Sequence, residues 1–139
     1  MKSRIYMILA IVWTVLIFTV SSIPSNELQK VEEKTWIGNL RKVLLDPVMH
    51  FIEFAVLAFF LVNAFANAGE TDRIRILKRV LFIGISIAVI DEVHQCFIPL
   101  RNFQFGDIVM DSLGVSLVSA GWLVCEKKKN CCSDERRSG

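Results

Sequence analysis

The sequence predicts an all-α membrane protein, a small antiparallel bundle of four transmembrane helices with both termini in the cytoplasm. Three observations predict this fold class. The 139-residue chain is 53% apolar with a mean hydropathy of +0.48, whereas soluble domains are about 45–50% apolar. The apolar residues are concentrated in blocks, and the basic residues are concentrated beside alternate blocks.

Four apolar blocks account for the predicted helices, since a membrane-spanning helix needs about 20 mostly apolar residues. The blocks Ile5–Val20, Val48–Ala66 and Ile108–Cys125 hold 16, 19 and 18 residues. The block Val80–Ile90 holds 11 and becomes long enough only if its helix continues through the charged pair that follows it. We therefore expect one domain over 1–126, with helices near 5–22, 48–66, 78–96 and 107–125, followed by a basic, disordered tail over 127–139.

The distribution of basic residues predicts the orientation. The N-terminal tip, the second loop and the tail carry 11 of the 16 Lys and Arg residues, and the other side of a four-helix topology carries 5. Basic loops stay in the cytoplasm, so we expect a multi-pass protein of the cytoplasmic membrane with both termini inside. A cleaved signal peptide is the alternative for the first block, but 16 apolar residues are long for its core and Ser21-Ser22-Ile23-Pro24 is a poor cleavage site.

Ionisable and amide side chains gather at one end of this predicted bundle. In the expected topology the second and fourth helices begin on the extracytoplasmic side, where the third helix ends. The polar residues at these ends are His50, Glu53, Asp91, Glu92, Gln95, Asp107 and Asp111. Charged groups in membrane helices usually face the bundle interior or a wet cavity and are paired there. The sequence therefore predicts a polar site at the extracytoplasmic face.

Helical spacing brings these residues onto common faces. His50 and Glu53 are three residues apart, while Asp91 and Gln95, like Asp107 and Asp111, are four apart. Arg101 lies in the loop between the third and fourth helices and is the expected partner of Asp91, Glu92, Asp107 and Asp111. One arginine cannot balance all of the carboxylates, so some must be protonated or a cation must be bound.

Three kinds of chemistry fit this residue set. The carboxylates Glu53, Asp91, Glu92 and Asp107 are candidate catalytic acids or bases beside a histidine. A divalent cation could be held by Glu53, Asp91, Asp107 and Asp111. A pocket could instead bind a ligand without turnover, with Arg101 holding a phosphate or carboxylate; its lining would be His50, Glu53, Asp91, Glu92, Gln95, Arg101, Asp107 and Asp111.

Structural interpretations compete with these functional ones. His50 and His94 can be interfacial residues, and Asp107 can cap the fourth helix. A set of small residues on the fourth helix predicts close helix packing: Gly114, Ser116, Ser119, Ala120 and Gly121. The sequence contains no recognised catalytic motif, phosphate-binding loop, dinucleotide fingerprint or nucleic-acid signature, so a non-enzymatic role or an uncharacterised activity is favoured. The four cysteines show no metal-binding spacing, and beyond a divalent cation no cofactor is predicted.

Two stretches together resemble a known family. They are "DPVMHFIEFAVLAFF" (46–60) and "DEVHQCFIPLRNFQFGDIVMDSLG" (91–114). The chain resembles the VanZ-like family of bacterial membrane proteins. The matching positions are His50, Glu53, Phe54, Asp91, Glu92, Gln95, Arg101, Asp107, Asp111 and Gly114. Pro47 stands near the place where that family often has a lysine, and Leu100 stands where it commonly has a glycine.

The resemblance implies a bacterial cell-envelope protein linked to resistance against glycopeptide antibiotics, teicoplanin especially. The implied partners are the lipid bilayer and a lipid-linked cell-wall precursor or the glycopeptide itself, with no nucleic acid. Two alternatives stay open. The protein could be a membrane-embedded, metal-assisted enzyme that modifies a lipid-linked glycan or phosphate, or a structural partner of another membrane protein. Neither the ligand nor the oligomeric state follows from the sequence.

Overall fold

The computed structural model describes residues 1–23, 36–99, 101 and 103–138, with backbone alone at 36–46 and 129–138. Four helices make up this part of the chain, and no strand occurs in it: α1 (Lys2–Ser21), α2 (Trp36–Ala66), α3 (Arg73–Gln95) and α4 (Phe105–Ser138). The four-helix, all-α prediction is confirmed for the described residues.

Three stretches are long and apolar enough to cross a membrane: Lys2–Ser21, Pro47–Ala66 and Phe105–Lys128. Helix α3 does not meet that standard, because Arg73, Arg75, Lys78 and Arg79 occupy its first turns and Asp91 and Glu92 its last ones. Large apolar side chains stay exposed along the bundle, including Ile8, Val15, Phe59 and Phe82. This apolar exterior is typical of a surface that contacts lipid.

The ends of two helices differ from those expected. Helix α2 begins at Trp36 and not near 48, so it continues through Pro47. Proline lacks its own N–H and leaves one carbonyl of the preceding turn without a helical partner. The helix nevertheless extends for eleven residues before Pro47, through the mixed polar and apolar stretch 36–46. Helix α4 runs to Ser138 and overlaps the range 127–139. The disorder of that range stays a prediction.

Successive helices run in opposite directions. The hydroxyl of Ser3, at the start of α1, donates a hydrogen bond of 2.9 Å to the carbonyl of Ala64, at the end of α2. Halfway along, the indole of Trp13 donates one of 2.9 Å to the carbonyl of Glu53. Donors in side chains that reach a neighbouring backbone fix the register of the two helices.

The turn between α2 and α3 has a clear local cause. Gly69 adopts φ +89°, a left-handed conformation that glycine reaches without strain. Asp72 then caps α3, since its carboxylate accepts from the backbone N–H groups of Ile74 at 3.0 Å and Arg75 at 3.2 Å. A short turn with a defined cap makes α2 and α3 antiparallel neighbours.

The core is apolar at the middle of the bundle, where α2 contacts each of the other three helices. Phe54, Leu57, Ile17, Val80 and Val115 are fully buried there. The close packing predicted from small residues is confirmed at Gly114, where a Cβ atom would lie 2.4 Å from the carbonyl oxygen of Phe51. At Gly121 the prediction is wrong, because a Cβ atom there would meet nothing within 4 Å.

Candidate functional site

The antiparallel arrangement gathers polar side chains at one end of the bundle. This end holds the last residue of α1, the middle of α2, the last turns of α3 and the first turns of α4. We call these residues the polar cluster: Ser21, His50, Glu53, Asp91, Glu92, Gln95, Arg101, Asp107 and Asp111. Asp91, Glu92, Gln95 and Asp111 are each only 1% exposed, although charged and amide groups are rarely so deeply buried.

His50 joins α2 to α4. Its Nδ1 atom lies 3.3 Å from Oδ1 of Asp111, and its Nε2 atom lies 3.8 Å from Oδ2 of Asp107. The contact with Asp111 is close, but Nδ1 and Oδ1 do not meet the directional requirement of a hydrogen bond. The imidazole of His50 therefore lies between two carboxylates that are one helical turn apart. In its protonated form it can interact electrostatically with both.

Asp91 is the centre of a hydrogen-bonded chain across α1 and α3. Its Oδ2 atom accepts from the hydroxyl of Ser21 at 2.9 Å and from the amide nitrogen of Gln95 at 2.8 Å. The amide oxygen of Gln95 in turn accepts from Nη1 of Arg101 at 3.1 Å. Arg101 thus reaches Asp91 through Gln95, whereas the sequence predicted that it would pair with the carboxylates directly.

Glu92 ties the α3–α4 loop to the cluster. Its Oε1 atom accepts a hydrogen bond from the backbone N–H of Gln104. The side chain is 1% exposed although it belongs to the last turn of α3. This bond satisfies one of the two carboxylate oxygens of Glu92. It also holds in place the loop that leads into α4.

Glu53 lies at the edge of the cluster and is half-buried. Its charge is within electrostatic range of His50, Asp91, Asp111 and Arg101. Coulombic interactions also connect Glu92 with Asp107. The residues predicted from helical spacing are therefore one coupled group, and their role in ligand binding or catalysis stays a prediction.

Four deeply buried polar atoms of the cluster have no hydrogen-bond partner among the described residues. They are His50 Nδ1, Asp91 Oδ1, Glu92 Oε2 and Asp111 Oδ1. Buried polar atoms are hydrogen-bonded in the great majority of cases, because leaving one unpaired costs about 1–3 kcal/mol. Within the described part of the chain, no three His, Cys, Asp or Glu residues form a group that could hold a metal ion.

An apolar groove lies on the surface between α1 and α3, toward the end of the bundle that holds the cluster. It has a volume of about 320 Å³ and is lined by Thr14, Val15, Phe18, Thr19, Ser22 and His94. His94 Nε2 lies 3.0 Å from the hydroxyl of Ser22, and its ring packs edge-to-face on Phe18 at 5.7 Å. The groove shares no residue with the cluster, although Ser22 directly follows Ser21 in the chain and His94 directly precedes Gln95.

Sequence reasoning missed two members of this arrangement. Ser21 binds Asp91 through its side chain, and Gln104 binds Glu92 through its backbone. Ser21 ends an apolar block and so marked the membrane boundary, but no spacing rule relates it to a residue 70 positions away. The backbone N–H of Gln104 carries no sequence signal at all.

The helices and the cluster together define a class of protein, a helical membrane protein with a polar site buried at one end of its bundle. Comparison with protein families is consistent with that class. The VanZ/LLP1 family model matches residues 6–126, which include every residue of the cluster, and the chain belongs to this family. No curated protein and no solved structure matches the chain.

Proposed function

We propose that this protein is a multi-pass protein of the bacterial cytoplasmic membrane that binds a component of the cell envelope and lowers susceptibility to glycopeptide antibiotics of the teicoplanin type. The polar cluster is the binding site and faces the extracytoplasmic side, with both termini in the cytoplasm. Membership of the VanZ/LLP1 family supports the link to resistance. A lipid-linked cell-wall precursor is the preferred ligand, because the groove and the cluster together offer an apolar and a polar surface.

One observation carries the proposal. Asp91 and Glu92 are 1% exposed, and each keeps one oxygen without a hydrogen-bond partner among the described residues. Asp111 is equally buried, and its unbonded oxygen lies 3.3 Å from Nδ1 of His50. Such groups are costly for a bundle whose only task is to fold, since an apolar side chain of similar volume would remove the cost. Carboxylates retained at this expense indicate a role in binding.

Helix α3 completes the proposed membrane domain although its composition is too polar to identify it as a span. Its buried face packs on α2 and α4 through Val80, Gly84 and Ala88. The basic residues of its first turns lie at the end opposite the cluster, where cytoplasmic charge is expected. The carboxylates of its last turns lie within the cluster and not toward lipid.

Antibiotic susceptibility tests this proposal. In a glycopeptide-susceptible host, expression of the wild-type protein is expected to raise the inhibitory concentration of teicoplanin several-fold. The Asp91→Asn protein, which removes a charge at the centre of the cluster, is expected to give no increase. The matched control is Glu70→Gln, which removes a carboxylate at the opposite end of the bundle and should protect like wild type. Equal protection by Asp91→Asn at equal membrane abundance would contradict the proposal.

A second function, membrane-embedded catalysis, is favoured by one feature. His50 between Asp107 and Asp111 is an arrangement able to move a proton. Mass spectrometry of lipids and cell-wall precursors from the same strains separates the two functions. A new lipid species with wild type that is missing with Asp91→Asn would establish an enzyme. Unchanged lipids together with lost protection would establish a binding protein.

A further inference from the structure

We propose that the group recognised by the polar cluster is a protonated amine of the ligand. The inference rests on the proposed function, since it takes the cluster to be a binding site, and it adds the chemistry of the ligand. The inference is based on the buried atoms of the cluster that lack a hydrogen-bond partner, because these atoms include acceptors that a ligand could satisfy.

Four hydrogen-bond donors in and beside the cluster are directed at its own acceptors. The hydroxyl of Ser21 and the amide of Gln95 both donate to Asp91. The backbone N–H of Gln104 donates to Glu92, and Arg101 donates to the oxygen of Gln95. Of the four atoms without a hydrogen bond, His50 Nδ1 and Asp111 Oδ1 lie 3.3 Å from each other, and the other two, Asp91 Oδ1 and Glu92 Oε2, are carboxylate oxygens. A carboxylate accepts only, so a complementary ligand must supply hydrogen-bond donors.

The charge of the cluster also favours a positively charged ligand. Among the described residues, the cluster combines five carboxylates with one arginine and one histidine. Asp111 is in electrostatic range of Asp91 and Asp107 as well as of His50. A phosphate or carboxylate on the ligand would add to this excess of negative charge in a buried site, whereas a cation would offset it. An ammonium group combines positive charge with three N–H donors.

The spacing of the acceptors favours an ammonium over a compact metal ion. Divalent cations need several oxygens drawn within about 2.0–2.6 Å of one point. Among the described residues no three suitable side chains form such a group. An ammonium nitrogen lies about 2.8 Å from each acceptor, so it requires a less compact set of oxygens than a divalent cation does.

The groove beside the cluster indicates how a lipid could present this amine. Val15 and Phe18 line it, and Ser22 and His94 line its end nearest the cluster. The side chain of Val15 is 60% exposed, so the groove opens toward the surrounding bilayer. We therefore expect an amine on a lipid headgroup to bind more strongly than the same amine free in water.

Thermal unfolding of the full-length protein in lipid nanodiscs tests the inference. The lipid probes are phosphatidylethanolamine and N-acetyl-phosphatidylethanolamine, each added to phosphatidylglycerol discs. The water-soluble probes are ethanolamine and N-acetylethanolamine, and magnesium chloride is a separate arm. Ligands that bind only the folded protein raise its unfolding temperature. We expect a rise of a few degrees with phosphatidylethanolamine and no rise with its acetylated counterpart.

Variants connect the rise to the cluster. Glu92→Gln and Asp111→Asn should each abolish the rise in unfolding temperature, and Glu70→Gln should retain it. Two cluster variants are used so that the result does not depend on one variant that fails to fold. A rise with ethanolamine as well would support the amine and assign it to a water-soluble group. Equal rises with the acetylated probes, a rise with magnesium alone, or a rise retained in both cluster variants would overturn the inference. These results are independent of teicoplanin susceptibility, which tests the proposed function.

Discussion

Gly114→Ala is expected to give the largest loss of stability of any glycine-to-alanine change among the glycines whose surroundings the structure describes. The new Cβ atom would lie 2.4 Å from the carbonyl oxygen of Phe51 and 3.1 Å from the backbone nitrogen of Ala55. Both are backbone atoms of α2, so no rotamer change can relieve the contact and the helices must separate. We expect about 3 kcal/mol of destabilisation, at the upper end of overpacking costs, measured by thermal or denaturant unfolding in detergent.

Two other glycines serve as controls for this prediction. Gly121→Ala lies on the same helix with nothing within 4 Å and should be neutral or slightly stabilising, because alanine favours helix. At Gly84 the added Cβ atom would lie 2.8 Å from both methyl groups of Val115. These are side-chain atoms that can shift, so Gly84→Ala should cost less than Gly114→Ala. An equal stability of Gly114→Ala and Gly121→Ala would contradict the close α2–α4 packing.

His50→Leu is expected to give the second large loss. The substitution leaves Asp107 and Asp111 without the imidazole that lies 3.8 Å and 3.3 Å from them. Asp111 is almost fully buried, and removing one partner of a buried charge pair leaves the other uncompensated. We expect a cost of about 3 kcal/mol, measured in the same unfolding experiments.

The matched control is His94→Leu, at a histidine whose hydrogen bond to Ser22 is exposed. It should change stability much less than His50→Leu. The double variant His50→Leu/Asp111→Leu should recover part of the loss, because it removes the orphaned carboxylate and fills the space with apolar atoms. A His50→Leu protein as stable as His94→Leu would contradict the central place of His50 in the cluster.

The fold was predictable from the sequence where the length of an apolar block matches the thickness of the lipid bilayer. The blocks beginning at Ile5, Val48 and Ile108 identified α1, α2 and α4 because each approaches the length of a span. The starts and ends were less predictable. Helical backbone hydrogen bonds do not require apolar side chains, so a helix can extend beyond the apolar block that identifies it. For this reason α2 begins at Trp36 and α4 ends at Ser138, outside the apolar blocks.

The site was predictable within each helix and unpredictable between helices. Three- and four-residue spacing placed His50 with Glu53, and Asp91 with Gln95, on common faces. The partners across helices depend on register, which spacing does not encode. For that reason Ser21 was missed, and Arg101 was assigned to carboxylates although its hydrogen bond goes to Gln95.

The side of the membrane on which the cluster lies is tested most directly at Cys96. This thiol is free and exposed, one residue beyond Gln95. A protein with Cys125, Cys131 and Cys132 replaced by serine carries it as the single cysteine. The control carries a single cysteine from Thr71→Cys, in the exposed turn at the opposite end.

In intact cells, a membrane-impermeant maleimide is expected to label Cys96 and to spare the Thr71→Cys control until the membrane is permeabilised. That result would place the polar cluster on the extracytoplasmic side, where cell-wall precursors meet glycopeptides. Labelling of the Thr71→Cys protein in intact cells, with Cys96 protected until permeabilisation, would contradict it.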